Sequence, residues 1–175
     1  NGYTTITGQF TDGTGYSLRK PRYSFRGSTP EHYSVRLTPQ LVGLGLLEAI
    51  SESTLLALAD PNDANQDGIS GRAQVVRDPE TGQQRLGRFG YKAGQARLRH
   101  QIASALNSDM GVTTTVYSTL DGATMPSTPE VVATDLNHLT RYLSTLGVSA
   151  RRDIKNKQAL HGAELFSSAL CSRCH

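Results

Sequence analysis

Threonine and aromatic residues alternate over the first two dozen positions, and in YTTITGQFTDGTGYSLRKPRYSF they recur on both sides of TDGTG. Period-two patterning about an Asp-Gly pair predicts a β-hairpin turning at Asp12-Gly13. Pro21 lacks a donor for a sheet ladder and confines the second strand to an edge. LVGLGLLEAI, Leu41 to Ile50, is apolar but carries Gly43 and Gly45. The two glycines argue against a regular helix across both and for a turn or a close backbone approach. Ser51 or Ser53 opens a short helix that runs to about Ala59 and stops at Pro61. From Ala96 to Met110, Leu98, Ile102, Ala105 and Leu106 share one helical face between Gly94 and Gly111. The clearest helix has Thr128 as its cap, Pro129 in the first turn, and a stripe of Val132, Leu136, Leu139, Leu143 and Leu146 closed by Gly147. VSARRDIKNK reads as a linker. A last helix from about Lys157 to Leu170 keeps Ala159, Ala163, Phe166 and Leu170 in register and delivers the chain into Cys171. The expected fold is mainly α with an N-terminal β-hairpin and long loops.

Composition narrows the classes. The 175 residues are 37% hydrophobic and 6% aromatic with no tryptophan, which fits a loop-rich protein or a piece of a larger one. A net charge of +3, spread over short pairs such as Arg19-Lys20 and Arg151-Arg152, is too mild to argue for nucleic acid. No run reaches the ~18 apolar residues of a membrane helix, so no membrane insertion is expected, and the N-terminus lacks the basic and apolar regions of a signal peptide. Both cysteines lie in one terminal motif, which excludes a disulfide framework.

That motif is CSRCH, Cys171 to His175. Two thiols three positions apart reach both vinyl groups of one haem, and the next histidine then lies under the iron as a proximal ligand. Structural zinc competes, but needs further ligands such as His161 or a partner chain. A redox disulfide also competes, although it does not need the histidine. In HGAELF, just ahead of the motif, Gly162 and Phe166 sit four apart on one face. This resembles the first helix of the cytochrome c fold, where glycine admits a crossing helix and the aromatic packs beneath the haem.

The stretch from LVGLGLLEAI through LADPNDANQDGISGRAQVVRDPETGQQRLGRFGYKAGQARLRHQIASALNSDMGV, with LHGAELFSSALCSRCH at the end, resembles the bacterial di-haem oxidoreductases, relatives of di-haem cytochrome c peroxidases. The opening hairpin sequence fits the same family. The resemblance implies that residues 1–150 are a segment between two haem sites, and that residues 151–175 are a linker and the start of a truncated cytochrome c-like domain. The expected chain is therefore a fragment, and by itself inactive. The resemblance also implies covalent haem c, a periplasmic location, and a redox partner protein or the remainder of a parent chain as partner.

Two further constellations carry candidate chemistry. In DANQDGIS, Asp63, Asn65 and Asp67 alternate ahead of Gly68, as in the first half of a calcium loop, yet the twelfth position is Gln74 and not glutamate. A plain Asx-rich turn accounts for the same residues. In RHQIASALNSDMG, Gln101 and Asp109-Met110-Gly111 resemble the glutamine and Glu-Met-Gly-like element of di-haem peroxidases, whose carboxylate moves a proton during peroxide cleavage. A helix C-terminal turn accounts for NSDMG equally. Met110, then Met125, are candidate axial ligands, whereas His32, His100, His138 and His161 read as surface or hydrogen-bonded residues. Glu48, an acid in an apolar run, must face solvent or find a partner. The functional expectation is a peroxidase-like di-haem c-type oxidoreductase. A cytochrome that only passes electrons, and a non-haem zinc or disulfide site, remain as alternatives.

Overall fold

The computed structural model describes residues 2–120 and 128–174 and divides into two units, Asn1–Thr38 and Pro39–His175. In the first unit, β1 (Gly2–Gln9) pairs antiparallel with β2 (Gly15–Arg22), from Gly2 opposite Arg22 to Gln9 opposite Gly15. The expected turn closes it. Gly13 takes φ 83°, and Asp12 Oδ1 accepts from Thr14 N at 2.9 Å. With only two strands, both are edges, so Pro21 costs no ladder bond to a third strand.

Among the described residues, the second unit holds five α-helices and a second hairpin that the sequence pattern did not announce. In chain order these are α1 (Leu44–Ala49), α2 (Glu52–Ala57), β3 (Val75–Arg77), β4 (Gln84–Leu86), α3 (Leu98–Met110), α4 (Ala133–Ser144) and α5 (Lys157–Ser168). The core is small: Phe89, Leu98, Ile102, Ala103, Leu136 and Leu143 are buried, and Leu44, Leu47, Leu106, Val116, Leu139 and Leu146 pack around them. It thus lies between α1, α3 and α4. Of the α4 stripe, Leu136 and Leu143 are buried and Leu139 and Leu146 flank them, while Val132 is 42% exposed.

Three expectations are refined or corrected. No helix runs across both glycines of Leu41 to Ile50: Gly43 adopts a left-handed φ of 80° just before α1, and only Gly45 sits inside that short helix. The close approach expected of these glycines is present, because a Cβ on Gly45 would run into the Ser144 backbone, with its carbonyl carbon at 2.8 Å. Second, α4 begins with Val132 at its cap position and not with Thr128 or Pro129. Glu130 is engaged elsewhere: its Oε2 accepts from Thr113 N at 2.9 Å, Thr113 Oγ1 accepts from Glu130 N at 3.1 Å, and Val131 N donates to Thr113 O at 3.0 Å. Those bonds hold residues 130–131 extended beside 113–114, so helical dihedrals start only afterwards. Third, the last helix ends at Ser168, and Leu170 turns into the left-handed region at φ 61°.

Ser51 caps α2 as expected, accepting from Thr54 N at 3.1 Å. Glu48 finds a partner across the unit: its Oε1 accepts from Leu98 N at 2.9 Å and supplies the α3 N-terminus with the acceptor that Arg97, its cap residue, does not. Arg88 Nη1 in turn donates to the carbonyls of Glu48 at 2.9 Å and Ile50 at 2.7 Å, beyond the end of α1. Glu48→Ala is therefore expected to cost about 1–2 kcal/mol in chemical denaturation, and Glu48→Gln, which keeps an acceptor oxygen, less than half of that. Equal losses for both would contradict this capping role.

Candidate functional site

The terminal motif is built by local backbone chemistry. Asn156 Oδ1 accepts from Gln158 N at 2.9 Å and from Ala159 N at 3.3 Å, which starts α5. After Leu170 reverses the chain, residues 171–173 form a single tight turn, and Cys174 N donates to Cys171 O at 3.3 Å. The two thiols are free and exposed. His175 and Met125 lie outside the described residues.

This donor set fits thioether attachment of a haem: two unpaired thiols, open to an approaching vinyl group, on one turn of chain. Among the described residues no three His, Cys, Asp or Glu side chains gather to hold a metal, and His175 of the same motif lies outside them. His161, the zinc candidate, instead lies 3.6 Å from Glu164 one turn along α5. The helix carrying the motif buries none of its residues, and Leu160, Leu165, Phe166 and Leu170 are exposed.

The loop at 63–69 closes on itself. Asp63 accepts from Asp67 N at 2.9 Å and from Gly68 N at 3.0 Å. Asn65 Oδ1 accepts from Asp67 N at 3.0 Å, and Asp67 Oδ1 from Ile69 N at 2.8 Å. Asp60 extends the pattern, accepting from Ala64 N at 2.9 Å. This is the geometry of successive Asx turns, in which side-chain oxygens replace a backbone acceptor. The remaining Asp67 oxygen, Oδ2, takes Arg173 Nη1 at 2.8 Å, so the loop meets the cysteine motif.

Gln101 and Asp109 stand on α3 but are not brought together: eight residues apart is about 12 Å along a helix axis. Gln101 is half-buried with its amide oxygen close to Gly90, whereas Asp109 and Met110 are exposed at the C-terminal end. Gly111 follows at φ 66°, with Gly111 N on Asn107 O and Val112 N on Leu106 O at 2.9 Å. NSDMG therefore has the geometry of a helix stop.

The densest group of titratable side chains is one that motif reading did not find. Asp78 and His100 are both fully buried. Asp78 opens the turn between β3 and β4: its Oδ1 accepts from Glu80 N at 3.0 Å and Thr81 N at 2.9 Å, and its Oδ2 from Arg85 Nε at 2.9 Å. Arg97 Nε lies 3.4 Å away. His100 Nε2 sits 2.9 Å from Glu80 Oε2 and 3.8 Å from Asp78 Oδ1, so this nitrogen faces two carboxylates. Its Nδ1 is buried without a hydrogen-bond partner among the described residues. Arg99 completes the group, bonding Glu80 at 3.1 Å and Asn137 of α4 at 2.7 Å. Burial raises the Asp78 pKa, but the backbone donors of Thr81 and Glu80 and the His100 charge outweigh it and hold the carboxyl at about 2. Glu80 is likewise lowered: burial opposes, and the bonds from His100 and Arg99 prevail.

Arg85 and Arg97 also line a cavity of about 310 Å³ with Glu48, Glu52 and Arg88. Arg85 and Arg97 are held by Asp78 and Arg88 by the carbonyls of Glu48 and Ile50, so these guanidinium groups are engaged in structural bonds. The only hint of this cluster in the sequence was DPETG, whose Asp-Pro start and glycine mark a turn. Nothing in the pattern paired that turn with His100.

Compared with known proteins, residues 31–175 match one family model, described as "Di-haem oxidoreductase, putative peroxidase". The hairpin of the first unit precedes the matched range. No curated protein and no solved structure matches the chain. No described helix is long and apolar enough to cross a membrane.

Proposed function

The chain belongs to the di-haem oxidoreductase family, and from that premise we propose that it contributes one covalent haem c site to a peroxidase-like oxidoreductase. The observation that carries this reading is the pair of free, exposed thiols at Cys171 and Cys174 on the turn that follows α5. Cys171 and Cys174 would form the two thioether bonds, and His175 would ligate the iron. When bound, the haem supplies the one-electron chemistry; the protein supplies attachment, ligation and surroundings. Covalent attachment of this kind takes place on the outer side of the bacterial cytoplasmic membrane, which makes the periplasm the proposed location. Electrons would be exchanged with a redox partner protein or with the remainder of a longer chain.

A proton shuttle at Asp109 is a finer proposal. That carboxylate is exposed at the end of α3, well separated from Gln101, so the role requires peroxide to reach the helix end.

Expression in a bacterium carrying the haem-maturation proteins, followed by haem staining of a denaturing gel, tests the attachment. Staining and a Soret band are expected for the wild-type chain. Complete loss of staining is expected for Cys171→Ser/Cys174→Ser. Staining that survives the double substitution, or a wild-type chain without haem, overturns the reading. Peroxide turnover by the haem-loaded protein then separates an enzyme from a cytochrome that only relays electrons.

A further inference from the structure

The turn that carries the two thiols is joined to a distant part of the chain. Arg173, inside the Cys-x-x-Cys-His sequence, donates Nη1 to Asp67 Oδ2 at 2.8 Å. The Asp67 side chain is only 8% exposed, and its other oxygen is fixed by Ile69 N at 2.8 Å. That carboxylate is thus held in orientation by its own loop before Arg173 reaches it. By contrast, α5 buries no residue, and its close backbone neighbour among the described elements is the 171–173 turn that it leads into. The Asp67–Arg173 pair is thus a direct side-chain link between residues 171–174 and the loop at 60–71.

We infer that Asp67 is a positioning residue for the haem-attachment turn: through Arg173 it fixes the turn carrying Cys171 and Cys174 against the Asx loop, and it neutralises the guanidinium that stands between the thiols. Neutralisation matters because an unpaired charge beside a redox centre in a partly dry setting shifts its potential. Orientation matters because two thioether bonds and one iron ligand must come from five consecutive residues. This inference rests on the haem assignment for its purpose, but not for its geometry.

The test separates the two. Asp67→Asn keeps the Oδ1 acceptor for Ile69 N, as Asn65 shows within the same loop, and removes only the charge. In the chain without haem, amide hydrogen exchange over residues 170–174 is expected to quicken about two- to fivefold in Asp67→Asn and in Arg173→Gln. The double variant should add nothing further, and Arg173→Lys should restore most of the protection. Exchange over residues 63–69 should stay as in the wild type, which reports that the loop is intact. Unchanged exchange at 170–174 in Asp67→Asn, or additive effects in the double variant, overturns the inference.

With haem attached, the midpoint potential is expected to rise in Asp67→Asn, where Arg173 is left unpaired, and to fall in Arg173→Gln, where Asp67 is left unpaired. The double variant should return to the wild-type value. Shifts of the same sign in both single variants overturn the neutralising role, since lost packing alone has no reason to reverse sign. A wild-type chain that takes up no haem sinks the proposed function and leaves the exchange result to decide the positioning.

Discussion

Asp78→Ala is expected to lower the free energy of unfolding by about 3 kcal/mol, a large part of the ~5–15 kcal/mol available to a domain. Alanine leaves the amides of Glu80 and Thr81 without their acceptor inside a fully buried turn. It also strips Arg85 of its partner and His100 of a neighbouring carboxylate. The arginines are 32% and 42% exposed, so water offsets part of their loss. Asp78→Asn retains one acceptor oxygen and is expected to cost about half as much. Urea denaturation followed by circular dichroism measures both, and a loss under about 1 kcal/mol for alanine would show that the cluster holds nothing together.

The same carboxylate gives a pH dependence of definite sign. Its folded-state pKa of about 2 lies below the model-peptide value of 3.8, so the ionised form stabilises the fold above pH 3.8. That contribution, about 2 kcal/mol, is lost as pH falls from about 4 toward about 2. Glu80 is shifted in the same direction and adds to the effect. Acid unfolding should therefore become shallower in Asp78→Asn, and a variant with the wild-type acid profile would contradict the assignment.

Gly45→Ala is the second large expected effect, about 2–3 kcal/mol. The obstacle is backbone and cannot rotate away: the Ser144 carbonyl carbon and Cα lie at 2.8 and 2.9 Å from the new Cβ. The α1 helix must shift off the end of α4, opening the core at Leu44 and Leu47. Gly162→Ala provides the control. A Cβ there meets nothing within 4 Å among the described residues, and alanine favours a helix interior by about 1 kcal/mol. Thermal unfolding should thus move down for residue 45 and stay level or rise for residue 162.

Legibility in the sequence followed the range of the interactions involved. Asp12-Gly13, the Ser51 cap, the Gly111 stop and the Leu136/Leu143 stripe depend on residues within one or two turns of each other, and all were read correctly. The start of α4 was misplaced because Thr128-Pro129 is a sound local signal that the Thr113–Glu130 bonds override. Gly43 and Gly45 gave the close approach and the lack of a helix across both, but not the short α1 that starts after Gly43, since the penalty of Gly45 is smaller than what the packing of Leu44 and Leu47 returns. For the loop at 63–69 the Asx-turn bonds were legible in the sequence. Its attachment to Arg173 was not.

Sequence by itself determined the family, the pair of thiols three positions apart and the helix that leads into them, because each shows in a short motif or a local periodicity. Only the tertiary structure decided the partners of the charged residues: Asp78 and Glu80 with His100, Glu48 with the start of α3, and Asp67 with Arg173. The physical reason is that a charge has no periodicity. An apolar residue announces its face by recurring along an element, whereas a buried carboxylate is satisfied by whichever donor the fold brings within about 3 Å, and that donor can come from any part of the chain.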